Sequence, residues 1–179
     1  MSALPPKLKE LADGLEETRK ETLGMVSGLS EAEFSRREPG EWSVADILEH
    51  LILSEIGTSK VIRKMLKEKA GTMPPYPADD SVLTVREVPP PSGKATAPEA
   101  VRPKGPARGK AEVLAALAEC RARTLESLAM LVEADPRVAE FPHPRFGPIN
   151  LYEWPALSIR SHEHDHQLQI AGILRAPGK

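Results

Sequence analysis

Cysteine and aromatic residues are scarce in this sequence, and both shortages narrow the class of protein. The single cysteine, Cys120, excludes an internal disulfide and suits a reducing compartment, so we expect a cytoplasmic protein. Aromatic residues make up 4% of the chain, so the core has to be aliphatic, which favours helices over a β-sandwich. With 179 residues, the chain has the length of one domain with a full hydrophobic core.

Long apolar runs and a strong excess of either charge are also absent. The formal net charge of −2 gives no general attraction to nucleic acid or to an anionic membrane. No stretch approaches the roughly 20 apolar residues of a membrane span, and the charged N-terminal segment lacks the apolar core of a signal peptide. We therefore expect neither nucleic acid nor membrane among the partners.

Apolar residues recur at intervals of three and four along four segments, which predicts four amphipathic helices. The first covers about residues 5–28, the second runs from its N-cap Ser43 to Gly71, the third covers roughly 110–134, and the fourth runs from about 150 to 174. Pro155 leaves two possibilities for the fourth helix, a start near Trp154 or a kink. Four helices predict an all-α four-helix bundle, with residues 1–179 forming a single domain.

Two proline-rich connections separate these helices. Residues 71–108 hold nine of the 18 prolines and predict a long irregular crossover between the second and third helices. Residues 141–148 are a second proline-rich connection, and we expect His143, which lies between prolines, at the surface. The basic residues Arg102, Lys104, Arg108 and Lys110 lie among prolines and glycines, which is typical of a solvated loop rather than of a binding patch.

The segment SHEHDHQLQ, residues 161–169, interrupts the pattern of the fourth helix. His162 and His166 are one turn apart and project from a mainly apolar face, where buried imidazoles need partners. A divalent metal is one such partner, and a solvent-exposed histidine cluster is the alternative. The pattern places Leu157 and Leu168 in a third direction around the helix, which suits contact with a flanking helix or with a second subunit of a dimer. It places five residues on the solvated face opposite His162 and His166. The five are Arg160, Glu163, His164, Gln167 and Ala171.

A third histidine, His50, points into the interior from the second helix. Three neutral imidazoles with an open position form a catalytically competent metal site, and bundles build such sites from facing helices. Asp46, one turn before His50, either orients its second ring nitrogen or serves only the capping box with Ser43. Gln169, one turn beyond His166, is placed to bind a metal-bound water or substrate. Imidazole ligands suit zinc, nickel, copper or iron.

Two segments resemble the signatures of the DinB/YfiT-like superfamily. The first is Trp42–Leu51 with Glu55 after it. The turn at residues 30–38, which opens with a capping-box pattern of Ser30 and Glu33, fits as well. The second is Gly147–Trp154, followed at the family's spacing by His162, His166, Gln169 and Ile170. The two segments occur in the family's order and separation. The resemblance covers most of the chain but not residues 71–108, which are longer and richer in proline than expected.

The resemblance implies a four-helix bundle, often dimeric, with a divalent metal held by His50, His162 and His166. Members of known activity are metal-dependent thiol transferases and isomerases that use low-molecular-weight thiols such as bacillithiol or mycothiol. The expected function is therefore a metal-dependent, thiol-dependent S-transferase or isomerase that acts on a small molecule as a homodimer. Such a protein needs no cysteine nucleophile of its own, and Cys120 has no neighbouring base in the sequence.

Two other functions fit parts of the pattern. Residues 162–166 match the HExxH motif of zinc peptidases, in which Glu163 would be the general base. The chain ends 13 residues after His166, however, without a downstream third ligand, and the sequence shows no strand pattern before the motif, so we expect no strand that could bind a peptide. The other alternative is a non-enzymatic bundle that is stabilised by the metal or that binds another protein.

Overall fold

The computed structural model describes residues 3–69, 71–88, 96–104 and 108–175. Its helices are α1 (Pro6–Val26), α2 (Glu31–Ser35), α3 (Val44–Glu68), α4 (Lys110–Ala129), α5 (Glu153–Pro155) and α6 (His162–Arg175). A six-residue π-helical segment, Ala156–Ser161, joins α5 to α6, and we call the three pieces together the last helix. The predicted four-helix bundle is confirmed, with α1, α3, α4 and the last helix as its members.

Local signals in the sequence set the helix starts. Pro6 occupies the first turn of α1, where a missing N–H costs no hydrogen bond. The predicted capping boxes form at α2 and α3, where Ser43 caps α3 and the Asp46 carboxylate accepts a hydrogen bond from the Ser43 backbone N–H at 2.8 Å. The last helix starts at Glu153 rather than kinking, because the Asn150 side chain accepts hydrogen bonds from the N–H groups of Tyr152 and Glu153.

The core is aliphatic and divides around α3, which is buried on two sides as its apolar residues predict. One cluster packs α3 against α1, α4 and the start of the last helix, and it includes Leu8, Leu15, Ile62, Leu128 and Leu151. The other cluster packs the N-terminal half of α3 against α4 and α6, and it includes Phe34, Ile47, Leu117 and Ile170. No helix in the described part of the chain is long and apolar enough to cross a membrane.

The proline-rich connection before the last helix forms a β-hairpin, so the prediction that no strand precedes the HExxH motif is wrong. Strand β1 (Glu140–His143) pairs antiparallel with β2 (Gly147–Asn150), and Pro142 lies opposite Pro148. Prolines are tolerated here because each strand pairs on one side only. Ile149 anchors the hairpin in a small cluster with Trp154 and Leu157. Leu157 is buried in that cluster, with 2% exposure. Of the two leucines predicted to contact a flanking helix or a dimer partner, only Leu168 is therefore at the surface, with 62% exposure.

The described parts of the crossover between α3 and α4 have little regular structure, as predicted, apart from two short 3₁₀ turns. These are Asp80–Val82 and Glu99–Val101, and Leu83 beside the first turn is fully buried in the core. The second turn lies against α3, where the carbonyl of Val101 reaches His50. The crossover therefore contributes to the interior near the histidines, while residues 89–95 and 105–107 lie outside the described residues.

Candidate metal centre

The structure brings together the three histidines that the sequence singled out. His50 comes from the first half of α3, while His162 and His166 are one turn apart at the start of α6. The Nε2 atom of His162 lies 3.1 Å from Nε2 of His50 and 3.1 Å from Nε2 of His166. One ligand atom from each ring lies within 4.8 Å of the other two, a spacing that suits one metal ion.

Hydrogen bonds on the far side of two rings determine their tautomers. Nδ1 of His50 lies 2.7 Å from the carbonyl oxygen of Val101, and Nδ1 of His166 lies 2.9 Å from Oε1 of Gln169. Because these oxygens only accept, both Nδ1 atoms carry the proton and both Nε2 atoms present a lone pair. A proton on Nε2 of His162 can be donated to Nε2 of His50 or to Nε2 of His166, and the other of these two atoms is left without a donor. A cation between the three rings accepts a lone pair from each of the three Nε2 atoms.

Distances and protonation both fit a metal. Zinc binds imidazole nitrogen at about 2.0–2.1 Å, which in a tetrahedral site places two nitrogens about 3.3 Å apart, close to the 3.1 Å seen here. Burial lowers the pKa of His50 to about 4 and the pKa of His162 to about 3. Burial also lowers the pKa of His166. The rings are therefore neutral at pH 7, which is the state that coordinates metals.

The indole of Trp42 covers one side of this group. Its ring centroid lies 5.0 Å from that of His50 and 6.4 Å from that of His166, on which it stacks. A groove of about 410 Å³ runs outward past Trp42 and Gln169, the residues that contact the histidines. Its other lining residues are Arg36, Glu38, Glu41, Gly172 and Ile173. The groove therefore borders the residues that surround the rings rather than the rings themselves.

Two residues expected to support the site have other contacts. Asp46 does not hold the ring of His50: its carboxylate accepts hydrogen bonds from Ser43 and from the guanidinium of Arg37. The capping-box interpretation of Asp46 therefore describes its role, and the carbonyl of Val101 orients His50 instead. Gln169 orients a ring: its Oε1 accepts a hydrogen bond from Nδ1 of His166. A contact between Gln169 and a water or substrate stays a prediction.

Glu163 is 1% exposed, so its prediction as part of a solvated face is wrong. Its carboxylate accepts hydrogen bonds from Arg19 Nε at 2.7 Å and from Arg121 Nη2 at 3.0 Å. Both guanidinium groups also bind the carboxylate of Glu55, at 2.7 Å from Arg19 and 2.6 Å from Arg121. These four residues, here called the charge cluster, contribute one side chain from each helix of the bundle, and their charges cancel.

The charge cluster has consequences for both the chemistry and the fold. Both oxygens of Glu163 are occupied by arginines, which leaves it unable to act as the general base of an HExxH peptidase. Burial alone would raise the pKa of Glu55, but the hydrogen bonds and charges of Arg121 and Arg19 outweigh it and lower that pKa. Glu55 therefore stays ionised, and the hydrogen bonds of the charge cluster fix α6, with its two histidines, against the other three helices.

Sequence reasoning missed Arg19, Glu55, Arg121 and Val101 as supports of the site. The available signal was weak: Glu55 and Arg121 interrupt otherwise apolar stripes, which is also common at helix surfaces. Gln167 was likewise placed on the solvated face, yet it is 7% exposed and donates hydrogen bonds to α1, to the carbonyl of Thr18 and the hydroxyl of Thr22. Val101 acts through its backbone, which no residue pattern reveals.

The remaining titratable candidates lie outside the three-ring group. His164 is exposed, as predicted, and His143 is not simply a surface residue. The His143 ring stacks on Phe146 at 4.6 Å and meets the edge of Trp154 at 5.0 Å, and burial lowers its pKa to about 4. Burial raises the pKa of the Cys120 thiol to about 12, which agrees with its prediction as an inert residue.

Known proteins provide an independent comparison. The model of the DinB superfamily matches residues 14–170. The crystal structure of TT2238, described as a four-helix bundle protein, is similar with a TM-score of 0.62 and 25% sequence identity. That similarity covers 92% of this chain and 98% of that one. Among curated proteins, none matches.

Proposed function

Because the chain belongs to the DinB superfamily, we propose that His50, His162 and His166 bind one divalent metal ion and that the metal-loaded protein is an enzyme acting on a small molecule. The observation that carries this proposal is the meeting of three Nε2 atoms, in two rings of which the second nitrogen is oriented by Val101 or Gln169. Metal-binding histidines elsewhere have such outer partners, which fix the ring and its tautomer.

Three protein ligands favour a catalytic role over a structural one. Structural zinc sites usually have four protein ligands, whereas catalytic sites keep one position for water or substrate. Within the described residues, the group that could hold a metal has three members. The groove lined by Trp42 and Gln169 lies next to this site, because both residues contact the histidine rings. A bundle that uses the metal only for stability is the alternative, and a fourth protein ligand would favour it.

We propose thiol-dependent transfer or isomerisation as the reaction class. When bound, the ion supplies a positive charge that lowers the pKa of a small thiol, so that the nucleophilic thiolate exists at neutral pH. The chain itself supplies no such nucleophile, because Cys120 is buried and the pKa of its thiol is raised to about 12. The thiol therefore comes from a low-molecular-weight cofactor. By analogy with the family, the protein is a cytoplasmic homodimer.

Metal analysis tests the first part of the proposal. His50→Ala, His162→Ala and His166→Ala should each reduce the metal content of tag-free protein to well below one ion per chain, because each removes one of three ligands. His164→Ala is the matched control, since it removes a neighbouring exposed histidine from the same helix. Unchanged metal content in all three ligand variants would refute the site.

A conjugation assay tests the second part. The metal-loaded protein is mixed with a panel of electrophiles and with bacillithiol, mycothiol or glutathione, and loss of free thiol is measured. We expect one thiol to react faster with the wild type than with His162→Ala, while Cys120→Ala stays as active as the wild type. A protein that binds metal but accelerates no thiol would refute the enzymatic class and leave the structural alternative.

A further inference from the structure

Two buried polar atoms of the last helix have no hydrogen-bond partner in the described part of the chain. They are Nε1 of Trp154 and Oγ of Ser158, in residues that are 6% and 7% exposed. Buried polar side chains nearly always have a partner, so two orphans on one helix need a physical reason.

The π-helical segment supplies the reason for Ser158. Six other hydroxyl groups on the helices donate to the carbonyl four residues earlier, namely those of Thr18, Thr22, Ser35, Thr58, Thr124 and Ser127. Ser158 lies within Ala156–Ser161, where wider turns displace that carbonyl. Its hydroxyl is therefore available to a group outside the helix, and π turns are frequent at functional sites.

Both orphans lie on the face of the last helix that carries the metal ligands. Trp154, Ser158, His162 and His166 follow one another at intervals of four residues, so each lies about one turn from the next. Helix α3 runs antiparallel beside them: His50 meets His162, and Val61 packs on the cluster that contains Trp154. Ser158 therefore lies opposite the part of α3 between these two contacts.

Space exists at this level of the bundle. Gly57 lies on the same face of α3, between His50 and Val61, and no atom lies within 4 Å of the position that its Cβ would occupy. Gly57 lies seven residues, about two helical turns or roughly 10 Å, along α3 from His50. Gly57 on α3 and two unpaired donors on the last helix thus border the stretch of the bundle next to the three imidazoles.

The hydrogen-bonding capacity of the two unpaired groups indicates which kind of ligand they can bind. An indole N–H only donates, and a serine hydroxyl can donate, so the pair suits an acceptor oxygen. A buried carboxylate would also need a cation. Two cations near this site are already paired: Arg86 with both oxygens of Glu153, at 2.6 and 2.8 Å, and Arg145 with Asp165, at 3.2 Å. A neutral carbonyl oxygen fits better than a carboxylate.

We propose that Trp154 and Ser158 form an inner pocket of the metal centre and bind the carbonyl oxygen of a neutral small molecule whose other end reaches the metal. This inference rests on the proposed metal site and adds the substrate class to it. The molecule carries its carbonyl roughly 5 Å from its metal-binding atom, which is the rise of one helical turn between His162 and Ser158.

Two thiols of the same shape test the pocket. 3-Mercaptopropanamide carries a carbonyl at the required distance, and 3-methylbutane-1-thiol replaces its amide with an isopropyl group. Each is titrated into the cobalt-loaded protein, and the thiolate-to-cobalt absorption band gives its affinity. We expect Ser158→Ala to lower the ratio of amide to alkyl affinity roughly five- to tenfold, the effect of one neutral hydrogen bond. Ser161→Ala, which removes an exposed serine from the same segment, should leave the ratio unchanged.

The indole N–H resonances give a second readout that does not depend on the absorption band. The chain has two tryptophans, and Trp42→Phe assigns their signals. In the zinc-loaded protein, the amide should shift the Trp154 indole proton downfield, and the alkyl thiol should not. This measurement keeps the test valid even where a Trp154→Phe variant fails to fold.

The outcomes separate this inference from the proposed function. Equal affinity ratios in wild type and Ser158→Ala, with an unmoved Trp154 signal, would overturn the pocket while the metal site stands, and would mean that the orphans hold internal water only. Failure to bind cobalt at all would instead refute the metal site, and this inference with it.

Discussion

The charge cluster gives the sharpest prediction about stability. In Glu163→Gln, Arg19 and Arg121 keep Glu55 as their one shared carboxylate, which leaves one positive charge uncompensated among side chains that are at most 6% exposed. The new amide also turns an NH₂ group towards guanidinium donors. Breaking a buried ion pair on one side costs roughly 3–5 kcal/mol, so we expect the free energy of unfolding to fall by that amount.

Urea denaturation of the metal-free protein measures this effect without a contribution from metal binding. The matched control is Glu119→Gln, which removes a carboxylate from an exposed pair with Arg123 in which both side chains are 66% exposed. That change should lower the unfolding free energy by less than about 1 kcal/mol. A loss of similar size in the two variants would refute the argument that the charge cluster fixes the last helix to the bundle.

Two further predictions concern pH and the hairpin. In the metal-free protein, the unfolding free energy should fall as the pH drops from about 6.5 to about 4. Burial lowers the pKa of His50 to about 4 and that of His162 to about 3 in the folded protein, whereas histidines of the unfolded chain take up protons near pH 6.5. His162→Asn should flatten this dependence, and an equal slope in urea titrations of the variant would contradict the assignment. Gly147→Ala should lower the unfolding free energy by about 1–2 kcal/mol, because φ at Gly147 is +69°. Gly24→Ala, in α1 with open space around its Cβ, should raise stability by about 0.5–1 kcal/mol, and denaturation midpoints that fail to separate the two variants would refute the strain at Gly147.

Much of the fold follows from local patterns in the sequence. Ser43 with Asp46, Ser30 with Glu33, and the apolar periodicities of α1, α3 and α4 act within a few residues, so they predicted helix starts, helix faces and the four-helix architecture. The hairpin was missed because its prolines conceal the alternation of a strand. They are compatible with pairing only because the ribbon has two strands, which depends on what lies beside it.

The π-helical segment explains the wrong assignment of faces in α6. The predicted faces assume an α-helical rotation of 100° per residue along the whole last helix, but a π turn holds more residues and rotates less per residue. The buried face of α6 therefore contains Glu163, Gln167 and Ile170. A sequence pattern cannot show such a segment, because the wider turn is stabilised by packing against α1 and α3.

By itself, the sequence determined the helices, their caps and the pair of imidazoles at His162 and His166, because those features depend on neighbours along the chain. The tertiary structure decided which charges are buried and which groups hold the rings. Glu163 and His164 are adjacent in the same helix, yet Glu163 is buried because Arg19 and Arg121, from two other helices, supply the opposite charges. The partner of His50 is likewise a backbone carbonyl 51 residues away, which only the folded chain brings into contact.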